Sequence, residues 1–303
     1  MAYLLNTILG SLIPMCVTAI VTMAITLIFR TSFTTNFAQG VISAFGAYVA
    51  SWAISKAELP VLLALPLSMI TAMMIAVLVD VGIFRRGRYV NALGKQIITM
   101  GLISIITGVI PVIFGIDQYV INSFVQGSLS FNIGEPIPVS ITKNTIVCVI
   151  ITAIIIPLIF IFLKYSKWGL SVRATASNEY IAGMMGINTH VVTAVSWGIA
   201  GALGALAAYM RGSSGQIVTS YFMTDYQVSA FLAGILGGFS TFHGPVICAL
   251  IIPLTNNLVY YLFNVAGFGE YAGWSMVIVY AIALVLIFIK PQGIFGKKIA
   301  RKV

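Results

Sequence analysis

Apolar runs of bilayer-spanning length follow one another along this chain with only short polar breaks, and that repetition leaves few folds open. About 20 apolar residues cross the hydrocarbon core as a helix. Inside it every backbone N–H and C=O must find a partner within the protein, so only helices or closed barrels span. Runs of this length select helices. By that rule residues 5–29, 37–54, 61–84, 97–116, 145–163, 191–210, 227–239, 245–263 and 272–289 read as helical elements. The expected fold is all-α: a polytopic integral membrane protein of eight or nine transmembrane or partly spanning helices, in one transmembrane domain over residues 1–303. Segments 37–54 and 227–239 are the ones expected to be short or broken. Segment 191–210 carries Gly198, Gly201, Gly204, Ala205 and Ala208, small residues that favour close helix packing in lipid.

Charge orients the runs. Only 8% of the residues are charged, against about 25% in a soluble domain, which excludes an ordinary globular protein. The balance of +9 does not signal nucleic acid, because the basic residues sit in short clusters between apolar runs. Arg85, Arg86, Arg88 and Lys95 form one, Lys164, Lys167 and Arg173 a second, and Lys290, Lys297, Lys298, Arg301 and Lys302 a third. The positive-inside tendency places all three in the cytoplasm, with the C-terminal tail. Residues 117–144, with Asp117, Glu135, Pro136 and Pro138, then form the longest outer connection, and 211–226 a second. The N-terminus is outside if 37–54 crosses fully, and inside if that segment is re-entrant. The first basic residue, Arg30, follows the first apolar run, so that run is expected to stay as a span rather than be cleaved. Cys16, Cys148 and Cys248 lie in separate apolar stretches and suggest packing, not a disulfide framework.

The longest polar segment between spans that carries a helical pattern is 164–190. At about 100° per residue, Ala176, Tyr180, Met184 and Ile187 share one face, and Thr175, Asn178 and Glu179 another. The pattern predicts one amphipathic helix ending at Gly186. Docking on a cytoplasmic partner and lying on the headgroups are equally consistent with it.

Enzymatic signals are nearly absent. Gly94-Lys95-Gln96 lacks both the hydroxyl and the upstream glycine of a phosphate-binding loop. His190 and His243 have no ligand neighbours at metal spacing, and no cofactor is expected. Asp80, an acid within a span, reads either as a functional group or as an ion-pair partner of Arg85. An echo links Gln39-Gly-Val-Ile-Ser-Ala-Phe45 with Gln227-Val-Ser-Ala-Phe231, and transporters are often built from repeats with broken helices at the binding site.

Four strings, N-F-A-Q-G-x5-G-A-Y (36–48), R-A-T-A-S-N-x3-A-x3-G-I-N (173–188), L-G-G-F-x4-G-P (236–245) and K-P-Q-G-I-F-G (290–296), occur in the order found in one family. On them the chain resembles the integral-membrane permease of bacterial branched-chain amino acid ABC importers. The resemblance implies a non-enzymatic transport subunit in the bacterial inner membrane. Its implied partners are two cytoplasmic ATP-binding subunits, a second related permease or a second copy of itself, and an extracytoplasmic solute-binding protein. It assigns ATPase coupling to Arg173, Ala174, Thr175, Asn178, Glu179 and Gly186. It makes Asn36, Gln39, Gly40, Tyr48, Gly237, Gly238 and Gly244 candidates for lining the translocation path, and gives the outer loops to the binding protein. Family members often carry a histidine or an acid where Gln39 and Val41 stand here, and 237–245 is more aromatic than usual. Urea or short amides, sugars and nucleosides are therefore alternative solutes, and a self-sufficient secondary carrier is the alternative mechanism.

Overall fold

The computed structural model describes residues 1–87, 90–132 and 138–296. Arg88, Glu135, Pro136, Lys297, Lys298, Arg301 and Lys302, named above, lie outside the described residues. Seven helices are long and apolar enough to cross a membrane. They are α1 (Ala2–Ser32), α3 (Val61–Val79, extended by a π turn over Asp80–Phe84), α4 (Ala92–Phe114), α5 (Lys143–Tyr165), α8 (Thr189–Gly212), α10 (His243–Val265) and α11 (Ser275–Ile289, preceded by a 3-10 turn over Gly269–Trp274 that brings the span to 21 residues). Two shorter helices, α2 (Gln39–Ser55) and α9 (Thr224–Gly237), have 17 and 14 residues. They fall where short or broken segments are expected. The remaining two, α6 (Lys167–Ser177) and α7 (Glu179–Met184), occupy the 164–190 segment.

Local chemistry sets many helix starts. Asn91, Thr142, Ser166, Asn178 and Asn188 each accept a backbone N–H from the first turn of α4, α5, α6, α7 and α8. A cap of this kind stabilises its helix by about 0.5–2 kcal/mol. Two of the buried threonines of α1 bond within their own helix: Thr22 and Thr31 donate to the carbonyls of Thr18 and Leu27 at 2.7 and 3.0 Å. That lets a helix with polar side chains sit in the middle of the protein.

The middle is α1 and α8, whose most apolar stretches are 78% and 67% buried, against 17–28% for the other five long helices. Those five turn side chains such as Leu62, Ile105, Ile154 and Phe288 outward, as a lipid-facing shell does. α1 packs chiefly on α10, α8 and α9, while α8 packs chiefly on α3, α1 and α2. Exchanging α1, α2 and α3 for α8, α9 and α10 maps this set onto itself. Glycine makes the α8 contacts close. A Cβ on Gly201 would stand 2.8 Å from that of Ala76 on α3, and one on Gly204 would overlap the Ser43 hydroxyl and the Gln39 amide of α2.

Two ends can be told apart. At the loop end, Asn6 near the start of α1 bonds the backbone of Pro138 and Ser140 at 3.1 and 2.9 Å. Lys56, just past α2, approaches Asp117 at 3.9 Å. Asn144 and Ser123 both donate to the Ser213 carbonyl, at 3.1 and 2.9 Å, just past α8. At the opposite, basic end, Arg30 lies over the Phe242 ring at 4.4 Å and Ile294 N–H donates to the Leu236 carbonyl at 2.6 Å. So α1 starts where α8 finishes. The two three-helix sets run in opposite directions.

The connections at the loop end contain strands where the sequence alone suggests only polar loops. β1 (Tyr119–Val120) pairs antiparallel with β4 (Ile217–Val218), and β2 (Ser128–Phe131) with β3 (Val139–Thr142). Pieces of two and four residues are too short to show a period-2 pattern. All three cysteines are buried and free.

Candidate functional site

The two short helices begin against each other. Gln227 of α9 accepts the Gly40 N–H through Oε1 and donates from Nε2 to the Phe37 carbonyl at 2.6 Å. Gln39 of α2 donates to the Ala200 carbonyl of α8 at 2.9 Å, and its Oε1 accepts from Asn36 Nδ2 at 3.2 Å. Asn36 Oδ1 closes the turn by accepting the Ala38 N–H at 3.0 Å. The Phe37 and Phe231 rings lie 4.9 Å apart beside this network. From it α2 runs to the loop end and α9 to the basic end. The first N–H groups of a helix lack intrahelical partners and carry partial positive charge. Here side-chain carbonyls from Asn36 and Gln227 meet such groups.

The path candidates therefore fall in separate places. Asn36, Gln39 and Gly40 form the network, and Asn36 and Gln39 have no exposed surface. Tyr48 stands more than two turns along α2, buried against Phe114 and Tyr119 with ring centroids at 5.6 and 5.9 Å. Gly237, Gly238 and Gly244 are at the basic end. Gly238 has φ 81°, a conformation that costs glycine little, and a Cβ there would come within 3.0 Å of Gln292 and Gly296. Gly237 and Gly244 lie against each other with no room for a side chain. The 290–296 string thus closes over the α9–α10 turn. Gln227 was outside the candidate set, although the 39–45/227–231 echo contained it.

The 164–190 segment is not one helix. Asn178 is extended (φ −160°, ψ 110°), ends α6 and caps α7 by accepting the Ile181 N–H at 3.1 Å. A residue that prefers to bond its own neighbouring backbone breaks helices at such positions, and the 3.6-residue periodicity across it is lost. Arg173 turns back from α6 to the Leu163 carbonyl. Ala174 is half-buried, and Thr175 is fully buried with its hydroxyl unpartnered among the described residues. Gly186 ends the turn after α7 at φ 85°. The faces also change. Tyr180, Ile181, Met184 and Met185 are exposed at 75, 51, 65 and 78%, whereas Ala182 is buried. A six-residue helix so placed offers an apolar knob at the basic end.

Glu179 points the other way. It lines a cavity of about 150 Å³ with Asp80, Arg85, Lys95, His190 and Thr193. Asp80, buried in the π turn, accepts from the Thr193 hydroxyl at 3.5 Å. This charged knot joins α7 to α3, α4 and α8.

Comparison with known proteins gives a concordant picture. The family described as "Branched-chain amino acid transport system / permease component" matches residues 7–288. The high-affinity branched-chain amino acid transport system permease protein LivH of Escherichia coli K12 is 27% identical over 218 residues, 71% of this chain and 65% of that protein. The match thus spans slightly less than two thirds of that relative's length. The probable branched-chain amino acid transport permease protein LivH of Methanocaldococcus jannaschii is 26% identical, over 87% of this chain and 84% of its own. Among solved structures, PsaBC from Streptococcus pneumoniae in complex with Fab shares the fold at TM-score 0.54 and 16% identity, covering 93% of this chain and 91% of that one.

Proposed function

The chain belongs to the branched-chain amino acid permease family, and from that premise we propose that it is the membrane-spanning subunit of an ATP-binding cassette importer for branched-chain or similar amino acids. The observation that carries the reading is the α7 knob: Tyr180, Ile181, Met184 and Met185 are exposed beyond the apolar shell, on a turn otherwise fixed to the body. One of two ATP-binding subunits docks there, on the cytoplasmic side that the basic clusters select. Arg173, Ala174, Thr175, Asn178, Glu179 and Gly186 hold the turn, with Glu179 passing its position to the charged knot around Asp80. A second permease, related or identical, completes the membrane unit. A solute-binding protein meets the loop end, which holds the N-terminus and residues 117–132.

The glutamine network stands across the route of the solute. Asn36, Gln39 and Gly40 meet Gln227 there, Tyr48 lies on the outer side, and the turn at Gly237, Gly238 and Gly244 on the inner. Helix starts of this kind suit a passing carboxylate. Rearranging one short helix against the other opens it.

Purification of the tagged chain from its host in mild detergent, with mass spectrometry of what stays bound, tests the assembly. Two ATPases and a second permease are the expected result. A chain that purifies alone across several detergents, and moves solute in liposomes without nucleotide, overturns it. Glu179→Arg is expected to cut uptake at least tenfold with normal amounts of chain in the membrane. Wild-type uptake by that variant would sink the coupling assignment.

A further inference from the structure

We infer that the cavity at the loop end between α1, α8, α9 and α10 is a binding site for a free zwitterionic amino acid, with Arg211 taking its carboxylate and Asp225 its ammonium. The cavity has a volume of about 750 Å³, in the range of small-molecule sites. The inference rests on the amino-acid reading above and adds the residues that would recognise the solute within the membrane subunit.

Charge is the first argument. The whole chain has seven acidic residues, and one of them, Asp225, lines this cavity together with a half-buried arginine. Among the described residues, Arg211 and Asp225 form no ion pair with each other. The Arg211 guanidinium lies instead over the Tyr226 ring, 5.1 Å from its centroid, which leaves its donor fork free for a planar carboxylate. Opposite charges that share a cavity without neutralising each other fit a ligand that carries both.

Unused hydrogen-bonding capacity is the second argument. Thr18, on the fully buried middle of α1, and Asn256 of α10 both line the cavity. The Thr18 hydroxyl and Asn256 Oδ1 are buried and have no partner among the described residues. Buried polar atoms are almost always bonded, so an orphaned pair in one cavity calls for a missing partner. An ammonium supplies three donors. Pro14, Phe222 and Ile252 give the same cavity an apolar wall for an aliphatic side chain. The neighbouring cavity of about 770 Å³ shares Arg211 but has no acidic lining residue, so it lacks the ammonium half.

Position is the third. Asp225, Tyr226 and Ser229 line the cavity on the α9 turn that carries Gln227. A solute held here touches the helix that must move at the glutamine network.

The test separates the site from the function. Uptake of radiolabelled leucine is measured in host cells lacking the chain and complemented with wild type, Arg211→Gln, Arg211→Lys or Asp225→Asn. If deletion leaves leucine uptake unchanged, the amino-acid reading fails. If uptake needs the chain and Arg211→Gln and Asp225→Asn, present at wild-type levels, transport normally, this site fails while the reading stands. The expected result is at least a tenfold loss for both, with Arg211→Lys losing less. Saturation-transfer NMR on the wild-type chain in nanodiscs decides independently of whether the variants fold. Millimolar leucine should give methyl signals displaced by valine but not by leucinamide, which lacks the carboxylate, or 4-methylpentanoate, which lacks the ammonium. No signal, or equal displacement by all three, overturns the site.

Discussion

The junction of α2 with α9 and the turn of α6 into α7 are both places where helices stop short, yet they are finished differently. At the junction Asn36, Gln39 and Gln227 answer backbone groups of Ala38, Gly40, Phe37 and Ala200 from within the chain. At the turn Tyr180, Met184 and Met185 are left in the open. The lesson concerns what each region needs from outside. A buried polar junction is costly to leave half-bonded, so the chain satisfies it alone. An exposed apolar knob is costly in water, so something else must cover it.

Substitutions can break that contrast at either side. The largest effect is expected at Gly204→Leu, whose side chain would enter the space of Gln39 and Ser43. Overpacking of about 1–3 kcal/mol or more should remove most of the chain from the membrane on immunoblots, and normal levels would deny that α8 must approach α2 this closely. Next is Gln227→Leu, which strips the Gly40 N–H and the Phe37 carbonyl of their partners. At about 1–3 kcal/mol for each buried group left unmet, the melting point by fluorescence-detected chromatography should fall by several degrees. An unchanged melt would show that the junction is held by packing alone. Met184→Ser with Met185→Ser sharpens the other side. Exposed side chains away from bonded networks change stability within about 0.5 kcal/mol, so melting should hold while co-purification of the ATPases is lost. Retained ATPases would move the docking surface elsewhere. The smallest effect is expected at Lys56→Ala. Its pair with Asp117 is 3.9 Å long between side chains 57% and 67% exposed, worth about 0.2–1 kcal/mol at most, and neither melting nor uptake should change measurably.

Much of this was legible in the residues, for reasons that differ from element to element. Apolar run length located every long helix, because hydrocarbon tolerates no other open-chain structure. The small residues of α8 announced close packing, and Gly201 and Gly204 bear it out through their neighbours on α3 and α2. The break at Asn178 was hidden, since the residue fits a helical face by spacing and ends the helix through its own amide. The strands at 119–120 and 217–218 were hidden as well, because two residues carry no period and their partners are remote in sequence. Gln227 left its signal in the echo with Gln39, but that echo marked a resemblance of segments, not a contact between them. The cavity of Arg211 and Asp225 has no local signature at all: its walls come from five helices and the loop after α8.

The β1–β4 ribbon has a mechanical consequence. It ties the loop that follows α4 to the loop that follows α8, and the bonds from Ser123 and Asn144 to the Ser213 carbonyl reinforce the tie. Both strands also lie against α2, and Tyr119 of β1 meets the Tyr48 ring of that helix. A load on either connection is therefore borne by α2, whose opposite end is the glutamine junction.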